Sequence, residues 1–120
     1  IENFYEIIRE KARSGVEVVM ICEYGSATRP AQRDATLNFV QTLAGDGVTV
    51  LFIQERKTMH KKVVIVDGKT VLLGSSNLTL AGTQLSNEMN VQITSERFAQ
   101  RAISDFETLR ERAITASELK

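Results

Sequence analysis

The residues best suited to chemistry surround the only histidine of the 120-residue chain, His60. Lys62 follows two positions later, and side chains two apart on a strand share one face at a separation of about 6.5 Å. A neutral imidazole can act as a base or as a nucleophile, and an ammonium can hold an anion beside it. This pair predicts a site for a small anion such as a phosphate group.

A hairpin is expected to bring further polar groups to this pair. An Asp-Gly pair at 67–68 separates two short apolar runs, which predicts a tight turn between antiparallel strands. A two-residue loop sets Ser75 opposite His60, whereas a four-residue loop sets Asn77 opposite His60 and Ser75 opposite Lys62. In both registers the four side chains share one face. A three-residue loop would shift the register by one and break this arrangement.

These groups offer hydrogen-bond donors for the oxygens of a phosphoryl group. No carboxylate or His/Cys cluster with metal-ligand spacing surrounds His60, so the sequence favours a metal-independent reaction without a cofactor. Glu88, on the strand after the hairpin, is the candidate carboxylate that orients the imidazole. Arg56 and Lys61 add positive charge near His60 and are expected to attract a polyanion.

The elements around these residues predict an α/β fold. A helix over 2–14, a strand over 16–22, a second helix ending at 45–47 and a strand over 48–53 form a right-handed crossover with parallel strands. The hairpin strands are expected at 61–66 and 70–73, a further strand at 87–94, and a last helix after the N-cap Ser95. The predicted sheet is mixed and mainly parallel, carries an antiparallel hairpin and is flanked by helices.

Composition excludes several classes of protein. Hydrophobic residues make up 42% and charged residues 25%, which is typical of a folded domain. Fifteen basic residues balance fifteen acidic ones, so polyanion binding has to come from local clustering. The single cysteine, Cys22, cannot form an internal disulfide, and no apolar run is long enough for a membrane span. We expect a cytoplasmic protein without stable membrane insertion, unless a leader has been removed.

The motif letters resemble the signature of the phospholipase D superfamily, HxKxxxxD. The matching residues are His60-Lys61-Lys62, Asp67, Gly74-Ser75-Ser76-Asn77 and Asn87-Glu88. The resemblance implies that His60 attacks the phosphodiester and forms a phosphohistidine, and that Glu88 hydrogen-bonds this histidine. It further implies that Lys62 and Asn77 hold phosphate oxygens and that Ser75 is an additional donor. Asp67 is implied to be structural or part of a proton network.

The same resemblance implies a second histidine that protonates the leaving group, and this chain has only one. A homodimer that pairs two His60 side chains would supply it, as would a second motif elsewhere in a longer chain. The chain is expected to be a single catalytic domain over 1–120 that lacks the family's N-terminal strand-helix-strand unit. The single-motif format and the local basic charge favour an endonuclease on DNA or RNA. The alternatives are a phospholipase D or phosphatidyltransferase and a non-catalytic phosphate-binding module of a larger nucleic-acid enzyme.

Overall fold

The computed structural model describes residues 2–24, 30–55, 59–75 and 88–119. They belong to two compact units, one built from 60–111 and the other from 2–59 together with the C-terminal segment after 111. The predicted α/β class is confirmed. The parallel strands and the antiparallel strands form two separate sheets in the described part of the chain, so each unit has its own sheet.

The parallel unit follows the predicted helix-strand-helix-strand order. Its elements are α1 (Glu2–Arg13), β1 (Val19–Glu23), α2 (Pro30–Gly45) and β2 (Thr49–Ile53). The two strands pair in parallel, from Val19 opposite Thr49 to Glu23 opposite Ile53. Leu43, Phe52 and Ile53 are almost fully buried. The first four residues of β1 are half-buried and Glu23 is exposed.

The C-terminal segment covers the second edge of β2. Ile114 and Phe52 exchange two backbone hydrogen bonds of 2.8 Å, which form an antiparallel bridge. A short 3-10 helix follows at Ala116–Glu118, and Thr115 caps it in a capping box with Glu118. Ile114, Ala116 and Leu119 pack against the buried cluster that contains Phe52. Residues 114–119 are therefore part of the parallel unit's core.

An ion-pair cluster fixes the end of α1. Arg13 Nε donates to Asp46 Oδ1 at 2.8 Å, and Arg9 Nε donates to the other oxygen, Oδ2. The hydrogen bond from Arg13, followed by that from Arg9, lowers the pKa of Asp46 from its usual 3.8 to about 2. The turn between α2 and β2 is thus tied to α1.

The antiparallel unit is built from three strands and a helix. They are β3 (Val63–Val66), β4 (Thr70–Gly74), β5 (Asn90–Thr94) and α3 (Glu96–Arg112), with β4 in the centre of the sheet. Ser95 caps α3 as predicted, since its hydroxyl accepts the Phe98 N–H at 3.2 Å. Phe98 itself is 38% exposed, and Ala99 is the fully buried residue of this helix.

Candidate active site

His60 and Lys62 contact each other just before β3. Lys62 Nζ lies 3.2 Å from Nδ1 and 3.3 Å from Nε2 of His60, and it donates to the His60 carbonyl at 3.1 Å. His60 is exposed and Lys62 is half-buried. The ammonium of Lys62 therefore lies against an imidazole that a substrate can reach.

Positive charge at this position has no carboxylate partner in the described part of the chain. Lys61 is exposed, and neither Lys61 nor Lys62 forms an ion pair there. An unpaired ammonium keeps its electrostatic attraction for an incoming anion, because no internal carboxylate neutralises it. The pair can therefore receive a phosphodiester group.

The predicted register of the hairpin was wrong. Val66 is opposite Thr70 and Val63 is opposite Leu73, so three residues separate the strands. The turn itself is the expected Asp-Gly turn, closed by a bond of 3.1 Å from the Lys69 N–H to the Val66 carbonyl. Lys69 is the additional residue, and its carbonyl accepts the Ser95 N–H at 2.9 Å beside β5. Pairing with β5 therefore shifts β4 by one residue.

This register removes the argument that placed Ser75 on the face of His60. Continued beyond β3, it sets Ser75 opposite Lys61 instead of opposite His60 or Lys62. His60 and Lys62 precede the paired strand and Ser75 follows β4, so strict alternation does not govern their orientation. The structure brings His60 and Lys62 into contact, and it brings Ser75 to the strand that follows Glu88.

Ser75 is bonded to the backbone of Met89. The Ser75 N–H and hydroxyl both donate to the Met89 carbonyl, at 3.1 and 3.3 Å, and the Met89 N–H donates to Ser75 Oγ at 3.1 Å. Glu88 is exposed and immediately precedes Met89. Among the described residues no hydrogen bond joins Glu88 to His60, so its orienting role stays a prediction.

Gly74 is a site residue to which the sequence motif assigned no role. A Cβ at this position would lie 2.4 Å from the Met89 carbonyl oxygen and 2.6 Å from the Asn90 Cα, distances that real Cβ atoms do not show. The backbones of β4 and β5 therefore approach each other here as only glycine allows. The sequence signal was an isolated glycine at a strand end, which often marks such an approach.

Asp67 lies in the turn, at the far end of β3 from His60. Its φ is 54° and that of Gly68 is 62°, the left-handed conformation that Asp and Gly tolerate well. This geometry accounts for Asp67 as a turn former, and its catalytic role has no support from proximity. Asn77 and Arg56 lie outside the described residues, as do Ser76 and Asn87. The described residues contain no group of three potential metal ligands.

An apolar row crosses the sheet at the end where His60 lies, with an exposed valine at each end and the half-buried Leu73 between them. Val63, Leu73 and Val91 are paired across the three strands and share one face. Val63 and Val91 are 47% and 48% exposed, and Met89, next to Glu88, is 77% exposed. No helix in the described part of the chain is long and apolar enough to span a bilayer.

Comparisons with known proteins agree with this geometry. The family model described as "Cardiolipin synthase, PLD-like domain" matches residues 2–110. Cardiolipin synthase B of Escherichia coli K12 is 33% identical over 98 residues, which cover 82% of this chain and 23% of the synthase. Mitochondrial cardiolipin hydrolase of Xenopus tropicalis is 41% identical over 68 residues, which cover 56% of this chain and 32% of the hydrolase.

The fold also matches a solved structure. NucT from Helicobacter pylori aligns with a TM-score of 0.75 over 94% of this chain and 74% of NucT, at 18% identity. The family match spans both units, and it includes the His60-Lys62 contact. With nine-tenths of its length matched and its HxKxxxxD residues in place, the chain belongs to the phospholipase D superfamily of phosphodiesterases.

Proposed function

We propose that this chain catalyses metal-independent cleavage of a phosphodiester by double displacement at His60. The observation that supports the proposal most directly is the contact between the Lys62 ammonium and the exposed imidazole of His60. A nucleophile and a cation without a carboxylate partner at one position are what attack on an anionic phosphorus centre requires.

The reaction balances in two steps. A ring nitrogen of His60 attacks phosphorus, a P–N bond forms, and the bond from phosphorus to the leaving oxygen breaks as that oxygen takes a proton from a general acid. Water then attacks phosphorus and gives its proton to the group that acted as general acid, the P–N bond breaks, and the phosphate monoester leaves as the imidazole is restored. Lys62 and Asn77 hold the non-bridging oxygens, and Glu88 orients the imidazole. The general acid is a second histidine, from a second copy of the chain or from a second motif.

Nucleic acid is the substrate that we propose first. Lys61 is exposed beside the His60-Lys62 pair and has no carboxylate partner among the described residues, so several phosphates of one backbone could bind here. Binding of this kind weakens steeply as salt rises. We also propose a cytoplasmic location, which the sequence predicts.

Phospholipid is the second candidate, and one structural observation favours it. Val63 and Val91 of the apolar row and Met89 are exposed at the end of the sheet where His60 lies, and the basic Lys61 precedes Val63 by two residues. An apolar surface flanked by lysine suits the interface of an anionic bilayer. The names of the cardiolipin synthase and cardiolipin hydrolase relatives point in the same direction.

One panel of substrates separates these candidates. The protein is incubated with EDTA and with plasmid DNA, single-stranded DNA, RNA, or vesicles of phosphatidylglycerol and cardiolipin, and His60→Ala is the matched control. Nuclease cleavage that His60→Ala abolishes supports the first proposal. Vesicle turnover without nuclease activity, reduced by Met89→Ser, supports the second. Phosphate binding without any turnover would support the remaining alternative, a non-catalytic phosphate-binding module of a larger enzyme.

Assembly needs its own experiment. The chain spans 23% of the length of the Escherichia coli synthase, so a second motif in a longer protein is as open as a homodimer. If two copies share one site, subunit exchange of wild type with equal His60→Ala leaves roughly one quarter of the pairs with two intact histidines. Activity that falls only to one half would show that each chain works alone.

A further inference from the structure

The Ser75 hydroxyl both donates and accepts a hydrogen bond within the protein. A serine hydroxyl has one hydrogen, and that of Ser75 is directed at the Met89 carbonyl at 3.3 Å. The same oxygen accepts the Met89 N–H at 3.1 Å. A phosphate oxygen would have to displace the Met89 carbonyl to receive this hydrogen. Lys62, by comparison, has three ammonium hydrogens and can keep its contacts while it binds an anion.

These bonds lie where the regular pairing of β4 and β5 ends. The last paired residues are Gly74 and Asn90. Ser75 continues the contact between the two segments by bonding to Met89 through its backbone N–H and its hydroxyl. The close backbone approach at Gly74 leaves no room for a Cβ. Ser75 and Gly74 together form a clasp that fixes Met89 and the start of β5, and Glu88 is the residue immediately before Met89.

We propose that Ser75 is a positioning residue, which acts through the Met89 backbone to hold Glu88, and that it is not a phosphate ligand. The role given to Glu88 rests on the proposed function. The bonds to Met89 do not depend on it, because they join backbone and side-chain atoms that the fold brings together. The clasp and the catalytic proposal can therefore fail separately.

Two measurements test the clasp without any turnover. Hydrogen exchange of the Met89 amide should become faster in Ser75→Ala, because this variant removes the acceptor, and should stay unchanged in Ser75→Thr and in the control Ser104→Ala. The dissociation constant of inorganic phosphate should stay within about twofold in Ser75→Ala and rise about tenfold or more in Lys62→Ala. Unchanged Met89 exchange, or phosphate binding weakened as much as in Lys62→Ala, would overturn the proposal.

Kinetics then tests the link to Glu88. We expect Ser75→Ala to lower kcat about tenfold with little change in KM and to alter the pH profile as Glu88→Gln does. In the Glu88→Gln background, Ser75→Ala should have no further effect, because the group that it positions is already lost. Fully additive losses would refute the positioning role. An inactive wild type with the expected Met89 exchange and phosphate binding would count against the catalytic proposal while supporting the clasp.

Discussion

The two units of the chain use their charged side chains differently. In the parallel unit Arg9 and Arg13 share Asp46. Arg112, which ends α3 and begins the C-terminal segment that belongs to the parallel unit, pairs with Glu55. In the described part of the antiparallel unit, no cation forms an ion pair with a carboxylate. Charges that are paired inside the protein contribute to its stability, whereas unpaired cations beside a nucleophile remain available to a substrate. Lys61 and Lys62, which have no carboxylate partner among the described residues, lie in the antiparallel unit beside His60.

The largest effect that tests this contrast is expected at His60. His60→Ala should lower turnover by at least about a thousandfold, because no other imidazole exists in this chain. Its free energy of unfolding should change by less than about 0.5 kcal/mol, since the side chain is exposed. Arg13→Ala should show the reverse pattern, with reduced stability and normal turnover per folded molecule. Stopped assays and urea unfolding measure both quantities.

Lys62→Ala should lower kcat/KM by about a hundredfold, because the charge that holds the anion is lost. The remaining activity should depend less on salt than that of the wild type. Steady-state kinetics at two ionic strengths provides the measurement, with Lys69→Ala at the turn as the matched control. Equal losses in the two lysine variants would mean that general surface charge, not the contact with His60, matters.

Gly74→Ala should destabilise the protein by about 1–3 kcal/mol, because the new methyl group meets backbone atoms of β5 that cannot move away cheaply. Gly45→Ala is the control, since a Cβ there meets nothing within 4 Å. That control should be neutral or slightly stabilising. Urea unfolding of both variants decides the question, and equal stabilities would show that β4 and β5 are not held so closely.

Asp46→Asn should reduce stability at neutral pH but not near pH 2. Because the arginines hold the folded-state pKa of Asp46 at about 2, below its usual 3.8, the stabilisation is present above about pH 4. It is lost as the pH falls through 2, where the carboxylate is protonated even in the folded state. Urea unfolding of both proteins across this range should show the two curves converging. A constant gap would contradict the ion-pair explanation.

The smallest effect is expected at Asp67. Asparagine tolerates a φ of 54°, so Asp67→Asn should change stability by less than about 0.5 kcal/mol and leave turnover within about twofold. Asp67→Val should cost about 1–2 kcal/mol, because a β-branched residue is strained in this conformation. A large loss of kcat in Asp67→Asn, with stability intact, would return this aspartate to the catalytic set.

Local patterns predicted the elements well but could not predict the register. The Asp-Gly turn formed as expected. The two hairpin strands did not indicate that Lys69 belongs to the loop, because its carbonyl bonds to Ser95, which is 26 positions away in the chain. Non-local pairing of this kind decides register without leaving a trace in the two hairpin strands themselves. The same applies to Ser75, whose bonds to Met89 depend on where β5 docks.

Site chemistry was more predictable than site geometry. The spacing of His60 and Lys62 predicted that their side chains share one face about 6.5 Å apart, whereas in the structure the two side chains touch just before β3. Glu88 lies two residues before β5, so its position relative to His60 could not follow from spacing alone. Exposure was also hard to foresee: Phe98 fits the helical apolar pattern of α3 and is nevertheless 38% exposed. Periodicity identifies candidates for burial, while packing selects among them.

The bridge between Ile114 and Phe52 has a practical consequence for anyone who prepares this protein. The match to the family model ends at residue 110. A recombinant version designed from this match alone would stop there. Such a version would strip the covering segment from β2 and leave a bare strand edge, a known starting point for fibrillar self-association. Purification tags and truncations should therefore be placed beyond Leu119, even though the added residues carry no family motif.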